Sequence, residues 1–393
     1  MSILAWIALG SCTIWAWLLL GQGFFWRTDQ RLPRRAAEPD RWPSVAVVVP
    51  ARDEAEVLPV SLPSLLGQDY PGAAEVFLVD DGSDDGTGDL ARQLAARHGG
   101  LPLTVTSPGP PEPGWTGKLW ALRHGIGLAR ARAGGAPDFL LLTDADIAHA
   151  PDSLRTLVAA TANDLDLVSQ MARLRVAGAW ERLIVPAFVY FFCQLYPFRW
   201  INREGARTTA AAGGCVLLRT AVAERAGVPD AVRGAVIDDV SLARAVRRCG
   251  GRIWLGLAER VDSVRPYPRL GDLWRMVSRC AYAQLRHSVL LLAGTVAGLC
   301  LVYLAPPVCL AVGLFGGDAV AAWAGGAAWA VMAGTYAPML RYYRQPLWWA
   351  PLLPVTAVLY LLMTVDSAVQ HHRGRGAAWK GRTYPRPQTA PER

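Results

Sequence analysis

What most limits the fold of this chain is where its long apolar stretches fall: one at the start and three close together near the end. Residues 3–25 form a run long enough to cross a bilayer, with no basic segment ahead of it and no small-residue cleavage site behind it. It therefore reads as a retained anchor and not as a cleaved leader. Residues 289–315, 319–340 and 347–369 read as three further spans joined by very short connectors. Between these stretches there is room for one globular domain of roughly 250 residues.

Arginines follow the first run at positions 27, 31, 34, 35 and 41, and the excess of positive charge on cytoplasmic flanks places the next domain inside the cell. Three crossings after a cytoplasmic domain would leave the C-terminus outside. The tail, with Arg373, Arg375, Lys380, Arg382 and Arg386, prefers the inside. Pro306 and Pro307 suggest that the first of the three runs breaks into a re-entrant pair, which would restore the parity. Gly294 and Gly298, four residues apart, offer a place for two helices to approach closely. The expected division is an anchor at 1–26, a cytoplasmic catalytic domain at 42–265, and an interfacial helix at 266–288. A membrane region of three or four segments follows at 289–370, then a basic tail at 371–393. Such a chain is a multi-pass protein of the inner cell membrane.

The formal charge of +8 comes almost wholly from arginine, since Lys118 and Lys380 are the only lysines. No basic stripe is interleaved with aromatic residues, so nucleic acid is not an expected partner. Seven cysteines, without CxxC or His/Cys clustering, suggest neither a disulfide framework nor a zinc site.

In the middle of the chain, short apolar runs at 44–49, 76–79, 104–106, 139–143 and 165–171 alternate with helical patterns at 55–66, 120–133 and 153–162. This alternation predicts an α/β domain with a mainly parallel sheet. In open sheets of this kind, ligands bind outside the carboxyl ends of the strands. Those ends carry Asp53, then Asp80 and Asp81, then Asp144 and Asp146.

The segment LLLTDAD ends a buried strand with two carboxylates at i and i+2, which extended backbone points to one side. They can share a hard divalent cation, Mg²⁺ or Mn²⁺, whose remaining ligands a diphosphate supplies. The alternative is a loop start or helix cap, for which Asp152 and Ser153 downstream are better placed. VDDGSDDGT ends another strand with a second acidic pair and a Gly/Ser turn, where an Asp could accept from a uracil N3–H or ribose hydroxyls. GWTGK places Lys118 in a turn ahead of a helix, where a cation would meet phosphate or sugar; it lacks the spacing of a Walker A loop. VIDDVSL leads into a helix that Asp238 or Asp239 could cap; the functional reading makes Asp239 a general base beside the metal.

Taken together, these segments resemble the family 2 glycosyltransferases of the GT-A fold, most closely the hopene-associated glycosyltransferases and the related ceramide glucosyltransferases. The resemblance runs from about Trp42 to Tyr384 and rests on VVVPARDE, SLLGQDYP, VDDGSDDGT, GWTGKLWAL, LLLTDADI, AAAGGCVLLR, VIDDVSLA, WRMVSRCAYAQLRHS and GAAWKGRTY. It implies donor contacts from Pro50, Asp53, Asp80, Asp81, Lys118, Asp144 and Arg279, and metal ligation by Asp144 and Asp146. It further implies catalysis by Asp239 with Asp238, and an acceptor side lined by Gly213 and Gly214. The implied activity is inverting transfer of a sugar from a nucleotide sugar, a UDP-sugar in the first instance, to a lipid acceptor, with hopanoid metabolism as one setting. Asp53 stands where Asn is usual, and Cys280 where the Trp of a Gln/Arg-x-x-Arg-Trp motif is expected. Two other readings share these features: a metal-dependent sugar-phosphate or nucleotidyl transferase, and a non-catalytic membrane scaffold with a degenerate transferase domain.

Overall fold

The computed structural model describes residues 1–33 and 38–374, with the backbone of 378–379 and 382–383. Arg34, Arg35, Arg375, Lys380, Arg386 and the Arg382 side chain, which entered the charge argument, lie outside the described residues, as does most of GAAWKGRTY. The elements run α1 (Ile3–Leu20), β1 (Val45–Ala51), α2 (Leu58–Leu66), β2 (Ala74–Asp80), α3 (Thr87–His98), β3 (Leu103–Thr106), α4 (Gly117–Arg130), β4 (Phe139–Thr143), β5 (Ile147–His149), α5 (Ser153–Ala160) and β6 (Leu167–Arg173). They continue with α6 (Ala179–Leu195), α7 (Phe198–Ile201), β7 (Cys215–Arg219), α8 (Thr220–Arg225), α9 (Asp238–Arg248), β8 (Ile253–Ser263) and α10 (Leu270–Gln284). The last helices are α11 (Val289–Leu299), α12 (Ala305–Gly316), α13 (Ala319–Tyr342) and α14 (Leu353–His372). Two compact units result: one holds Met1–Asp29, Val176–Trp200 and Tyr267–Ala377, the other chiefly Gln30–Arg175 and Ile201–Pro266.

In the second unit, eight strands form one sheet in the order β3-β2-β1-β4-β7-β6-β8-β5. β1 is VAVVVPA, buried at every position, and β4 is FLLLT, likewise buried throughout. Apolar runs without alternation belong in strands covered on both faces, and each fully buried Val or Leu contributes roughly 1.5–3 kcal/mol. The strands β3, β2, β1 and β4 pair in parallel. β6 and β8 also pair in parallel, whereas β7 runs antiparallel to both β4 and β6 and β5 antiparallel to β8, so the sheet is mixed, with four of its seven pairings parallel in line with the mainly parallel expectation and three antiparallel. The difference arises after β6, where the chain leaves for the other unit and returns to the sheet without a crossover helix to fix its direction.

This topology gathers the site. β1, β2 and β4 all end at one edge. Antiparallel β7 starts there, with Cys215 opposite Thr143, and β8, parallel to β6, ends there with Ser263 opposite Ile147. Pro50 sits in β1 beyond Val48, the last residue that pairs with β4, so its missing N–H costs no bond on that side.

The first unit is helical. Among the described residues, four helices are long and apolar enough to cross a membrane: Ile3–Leu20, Ala179–Ile201, Val289–Gly316 and Leu347–His372. The reading of 42–265 as one uninterrupted stretch did not foresee α6, whose apolar pattern is diluted by Glu181, Arg182 and Gln194. Glu181, buried, accepts from the backbone N–H groups of Ala177, Gly178 and Tyr267, fixing both the start of α6 and the point where the chain rejoins this unit.

Pro306 and Pro307 do not break their helix. Residues 289–316 continue through a π-helical turn at Cys300–Leu304, and a proline in the first turn of α12 gives up an N–H that has no partner there. The chain doubles back elsewhere. Ser2 bonds Asp318 and Cys309 donates to the Leu4 carbonyl, so α13 starts at the N-terminal end of α1. Past Tyr342 the chain turns at Arg344, with φ of 54°, and rises along α13 until the Trp329 indole donates to the Pro351 carbonyl, 3.1 Å away. From there α14 descends beside α10: Trp274 donates to Asp366 and the Tyr282 hydroxyl meets His372. Close helix approach occurs at Gly313 and Gly325, where a Cβ would lie 2.6 and 2.7 Å from backbone nitrogens of the facing helix. A Cβ on Gly294 or Gly298 would meet open space, which corrects the expectation for that pair.

Candidate functional site

The carboxyl edge of the sheet carries two linked groups of carboxylates. The first follows β1 and β2. Asp53 has φ of 50°, a left-handed conformation that Asn and Asp tolerate better than other side-chain-bearing residues. Its N–H donates to Ser83 Oγ, 2.9 Å, and its own Oδ1 accepts from the Asp84 N–H, 3.0 Å. Asp80 Oδ1 accepts from the Ser83 N–H and hydroxyl. Asp81, 2% exposed, lies 3.9 Å from the Arg52 guanidinium, which also donates to the Asp81 carbonyl. Asp85 accepts from the Ala55 N–H and from the Thr87 N–H and hydroxyl. Burial acts to raise the Asp85 pKa, but the Thr87 and Ala55 hydrogen bonds outweigh it and hold the carboxyl below its ordinary range. Asp85 thus holds the turn together.

The second group lies where β4, α4 and α9 converge. Lys118, in the first turn of α4, places its Nζ 2.8 Å from Asp144 and 3.0 Å from Asp238. Burial alone would lower the lysine pKa; the two carboxylates more than reverse this and fix the ammonium charge. Asp144 is raised, chiefly by burial and by the neighbouring Asp146, with Lys118 opposing. Asp239 accepts from the Gly213 N–H at 3.0 Å and the Val240 N–H at 2.7 Å. Burial, then repulsion from Asp238, pushes it up to about 6. A Cβ on Gly213 would make ordinary contacts, at 3.4–3.5 Å, with Asp239 and Lys118 Nζ, which places this residue beside both side chains. Gly214 follows, its carbonyl accepting from the Asp144 N–H and the Thr143 hydroxyl.

Asp146 is 14% exposed at its side chain, and its Oδ2 is held by Ser263 Oγ at 2.9 Å and Arg265 Nε at 3.2 Å. Arg265 Nη2 in turn donates to Glu54 Oε2, 2.5 Å away, in the turn after β1. Sequence reading missed Arg265, Ser263, Glu54 and Arg52. Asp152 and Ser153 do not cap α5 in the expected way: Asp152 pairs with Arg260, and Gln68 accepts the Leu154 N–H instead. Asp238 and Asp239 form the first turn of α9, so a favourable helix-dipole position and the functional one coincide. Arg279 lies in the other unit, exposed on α10.

A divalent cation fits this donor set in one way. Asp144 Oδ2 and Asp146 Oδ1 have no partner among the described residues, and the four aspartates outnumber the two cations beside them. No three His, Cys, Asp or Glu side chains converge as ligands among the described residues, so a cation held by this pair takes its other ligands from a diphosphate or water.

Comparison with known proteins agrees with this architecture. Residues 43–283, more than half of the chain, match the family model described as "Glycosyltransferase like family 2". The chain is 28% identical over 200 residues to the probable glycosyltransferase YdaM of Bacillus subtilis, covering 49% of this chain and 45% of that one. It is 28% identical over 182 residues to the undecaprenyl-phosphate 4-deoxy-4-formamido-L-arabinose transferase of Pseudomonas aeruginosa, covering 44% and 45%. The match therefore spans less than half the length of either relative. Among solved structures, the mannosyltransferase PcManGT of Pyrobaculum calidifontis, in complex with GDP-Man and Mn²⁺, aligns with a TM-score of 0.50 at 19% identity, over 93% of this chain and 99% of that one. The chain belongs to the family 2 glycosyltransferases and has the GT-A fold.

Proposed function

We propose that this protein is a membrane-bound inverting glycosyltransferase that moves a sugar from a nucleotide sugar, a UDP-sugar in the first instance, onto the hydroxyl of a lipid acceptor. The observation that carries the reading is the unequal treatment of two neighbouring carboxylates. Lys118 neutralises Asp238 at 3.0 Å, whereas Asp239 is left with two backbone N–H donors and a pKa near 6. A carboxylate tuned toward neutrality beside a metal site is what removal of a hydroxyl proton requires.

In this scheme the turn at Asp53, Asp80 and Asp81 receives the nucleoside, and Asp144 with Asp146 would hold Mg²⁺ or Mn²⁺. The ion, when bound, supplies electrostatic stabilisation of the departing diphosphate. Lys118 keeps Asp144 and the α9 carboxylates in fixed register, and Gly213 with Gly214 leaves space on the acceptor side. Asp239 accepts the proton as the acceptor oxygen attacks the anomeric carbon from the face opposite the diphosphate, which inverts that centre.

The relatives' names point to a second acceptor, undecaprenyl phosphate, alongside the hopanoid suggested by sequence resemblance. The two differ in what they ask of the site: a phosphate oxygen is already ionised and needs no base, whereas a hydroxyl does. The raised Asp239 favours the hydroxyl. In the membrane we assign the N-terminus to the outside and Gln30–Pro266 to the cytoplasm, where Arg27, Arg31 and Arg41 follow α1. α11 with α12 and then α13 make one return crossing, and α14, starting partway along α13 and ending beside α10, brings the C-terminus back to the cytoplasmic side. Arg341, Arg344 and Arg373 at the ends of α13 and α14 support that assignment, which meets the parity condition with the helix continuous at Pro306.

The decisive experiment incubates the detergent-solubilised full chain with candidate UDP-sugars, Mn²⁺ and extracted lipid, and follows the nucleotide product. Release of UDP with a glycosylated lipid is expected. Release of pyrophosphate would replace this reading with nucleotidyl transfer, and absence of any melting-temperature rise across the nucleotide sugars with Mn²⁺ would favour the scaffold.

A further inference from the structure

Arg265 stands two residues beyond β8 and touches both carboxylate groups at once. Its Nε lies 3.2 Å from Asp146 Oδ2 and its Nη2 2.5 Å from Glu54 Oε2. The three side chains are 25%, 14% and 7% exposed, so this is a shielded contact and not a surface pair. The Asp146 oxygen it holds is the one that Ser263 Oγ also donates to, at 2.9 Å. Two donors on Oδ2 fix the carboxylate plane and leave Oδ1 as the atom available to a cation. On the other side, the Glu54 N–H donates to Thr87 Oγ1 at 2.8 Å, and Thr87 and Ala55 both bind Asp85. The turn after β1 is thus tied into the turn after β2, where a nucleoside would sit.

We propose that Arg265 is a positioning residue that couples the two halves of the donor site: it presents Asp146 to the cation and ties that carboxylate, through Glu54, to the nucleoside turn. The inference rests on the donor-site reading above. Guanidinium geometry suits the task, because a planar fork can hold two carboxylates in fixed relation where an ammonium would act as a point charge. Outer contacts of this kind are worth 10–100-fold in metal affinity.

The test measures free Mn²⁺ by electron paramagnetic resonance during titration of the full chain in detergent, with and without UDP. Wild type, Arg265→Gln, Arg265→Lys and Glu54→Gln are compared. In wild type, UDP should tighten Mn²⁺ binding. Arg265→Gln should weaken Mn²⁺ binding by roughly 10-fold or more without UDP and reduce the tightening caused by UDP; Arg265→Lys should recover part of the first effect but little of the second. Glu54→Gln should keep Mn²⁺ affinity near wild type and lose most of the tightening, and it serves alone if the Arg265 variants do not fold. A lower melting temperature with Mn²⁺ affinity and UDP tightening unchanged in Arg265→Gln, or tightening unchanged in Glu54→Gln, would overturn the coupling role while leaving the donor site standing. Failure of wild type to bind Mn²⁺ and UDP would overturn the donor site itself, and this role with it.

Discussion

The two acidic groups at the sheet edge are built from the same residue type and held mainly by different means. Around Asp53, Asp80 and Asp85, the hydrogen-bond donors are backbone N–H groups and hydroxyls supplied largely by the turn itself, and Arg52 stands further off, 3.8 Å from Asp53 and 3.9 Å from Asp81. Around Asp144, Asp146 and Asp238, partners are the cationic side chains Lys118 and Arg265, brought from other parts of the chain. Hydrogen bonds from a turn define a fixed shape, which suits recognition of a neutral nucleoside. Paired charges can be exchanged for other charges, which suits a place where a cation and a diphosphate come and go.

The sharpest way to break this contrast is Asp146→Asn. Metal-dependent donor binding should disappear and turnover fall by roughly 10³-fold, because the carboxylate works through charge that no turn can replace; unchanged Mn²⁺-dependent binding of UDP would refute it. Next, Asp239→Asn should leave UDP binding intact while turnover drops by roughly 10²–10⁴-fold. Near-normal turnover in that variant would sink the base assignment and move the acceptor toward a phosphate.

The pH profile sharpens the same point. Asp239 must be ionised to take a proton, and its pKa is raised to about 6, so wild-type turnover should fall as pH drops through about 6. A profile flat from pH 5 to 8 would count against it. Lys118→Met should cost about 1–2 kcal/mol of stability, a buried-pair value reduced for partial exposure, by leaving Asp144 and Asp238 uncompensated. Chemical denaturation measures this. Smallest of all, Ser83→Ala removes one hydroxyl from Asp80 and should cost about 1 kcal/mol, seen as a few-fold rise in donor KM with kcat unchanged.

Much of this site was legible in the sequence because each candidate aspartate follows a strand whose apolar run announces itself, and parallel strands must end on one side. Asp53 could stand in for Asn because both accept the left-handed backbone found there. Arg265 was not legible: its partner Glu54 is 211 residues away, and no local period marks a pairing of that kind. α6 escaped notice for a different reason. It is shielded mainly by α13 and α14, so it can carry Glu181, Gln194 and Tyr190, the last bonded to Thr335, and lacks the uniform apolarity by which lipid-facing spans are recognised.

That helix has a practical consequence. Cutting at the chain ends, near residues 38 and 266, would keep α6 while discarding the helices whose Thr335, Thr356 and Tyr360 enclose it. Ile184, Val185, Val189 and Tyr190, all buried in the intact protein, would face water in such a fragment. A water-soluble version for crystallography or screening therefore calls for excision of 176–200 and a short graft joining Arg175 to Ile201.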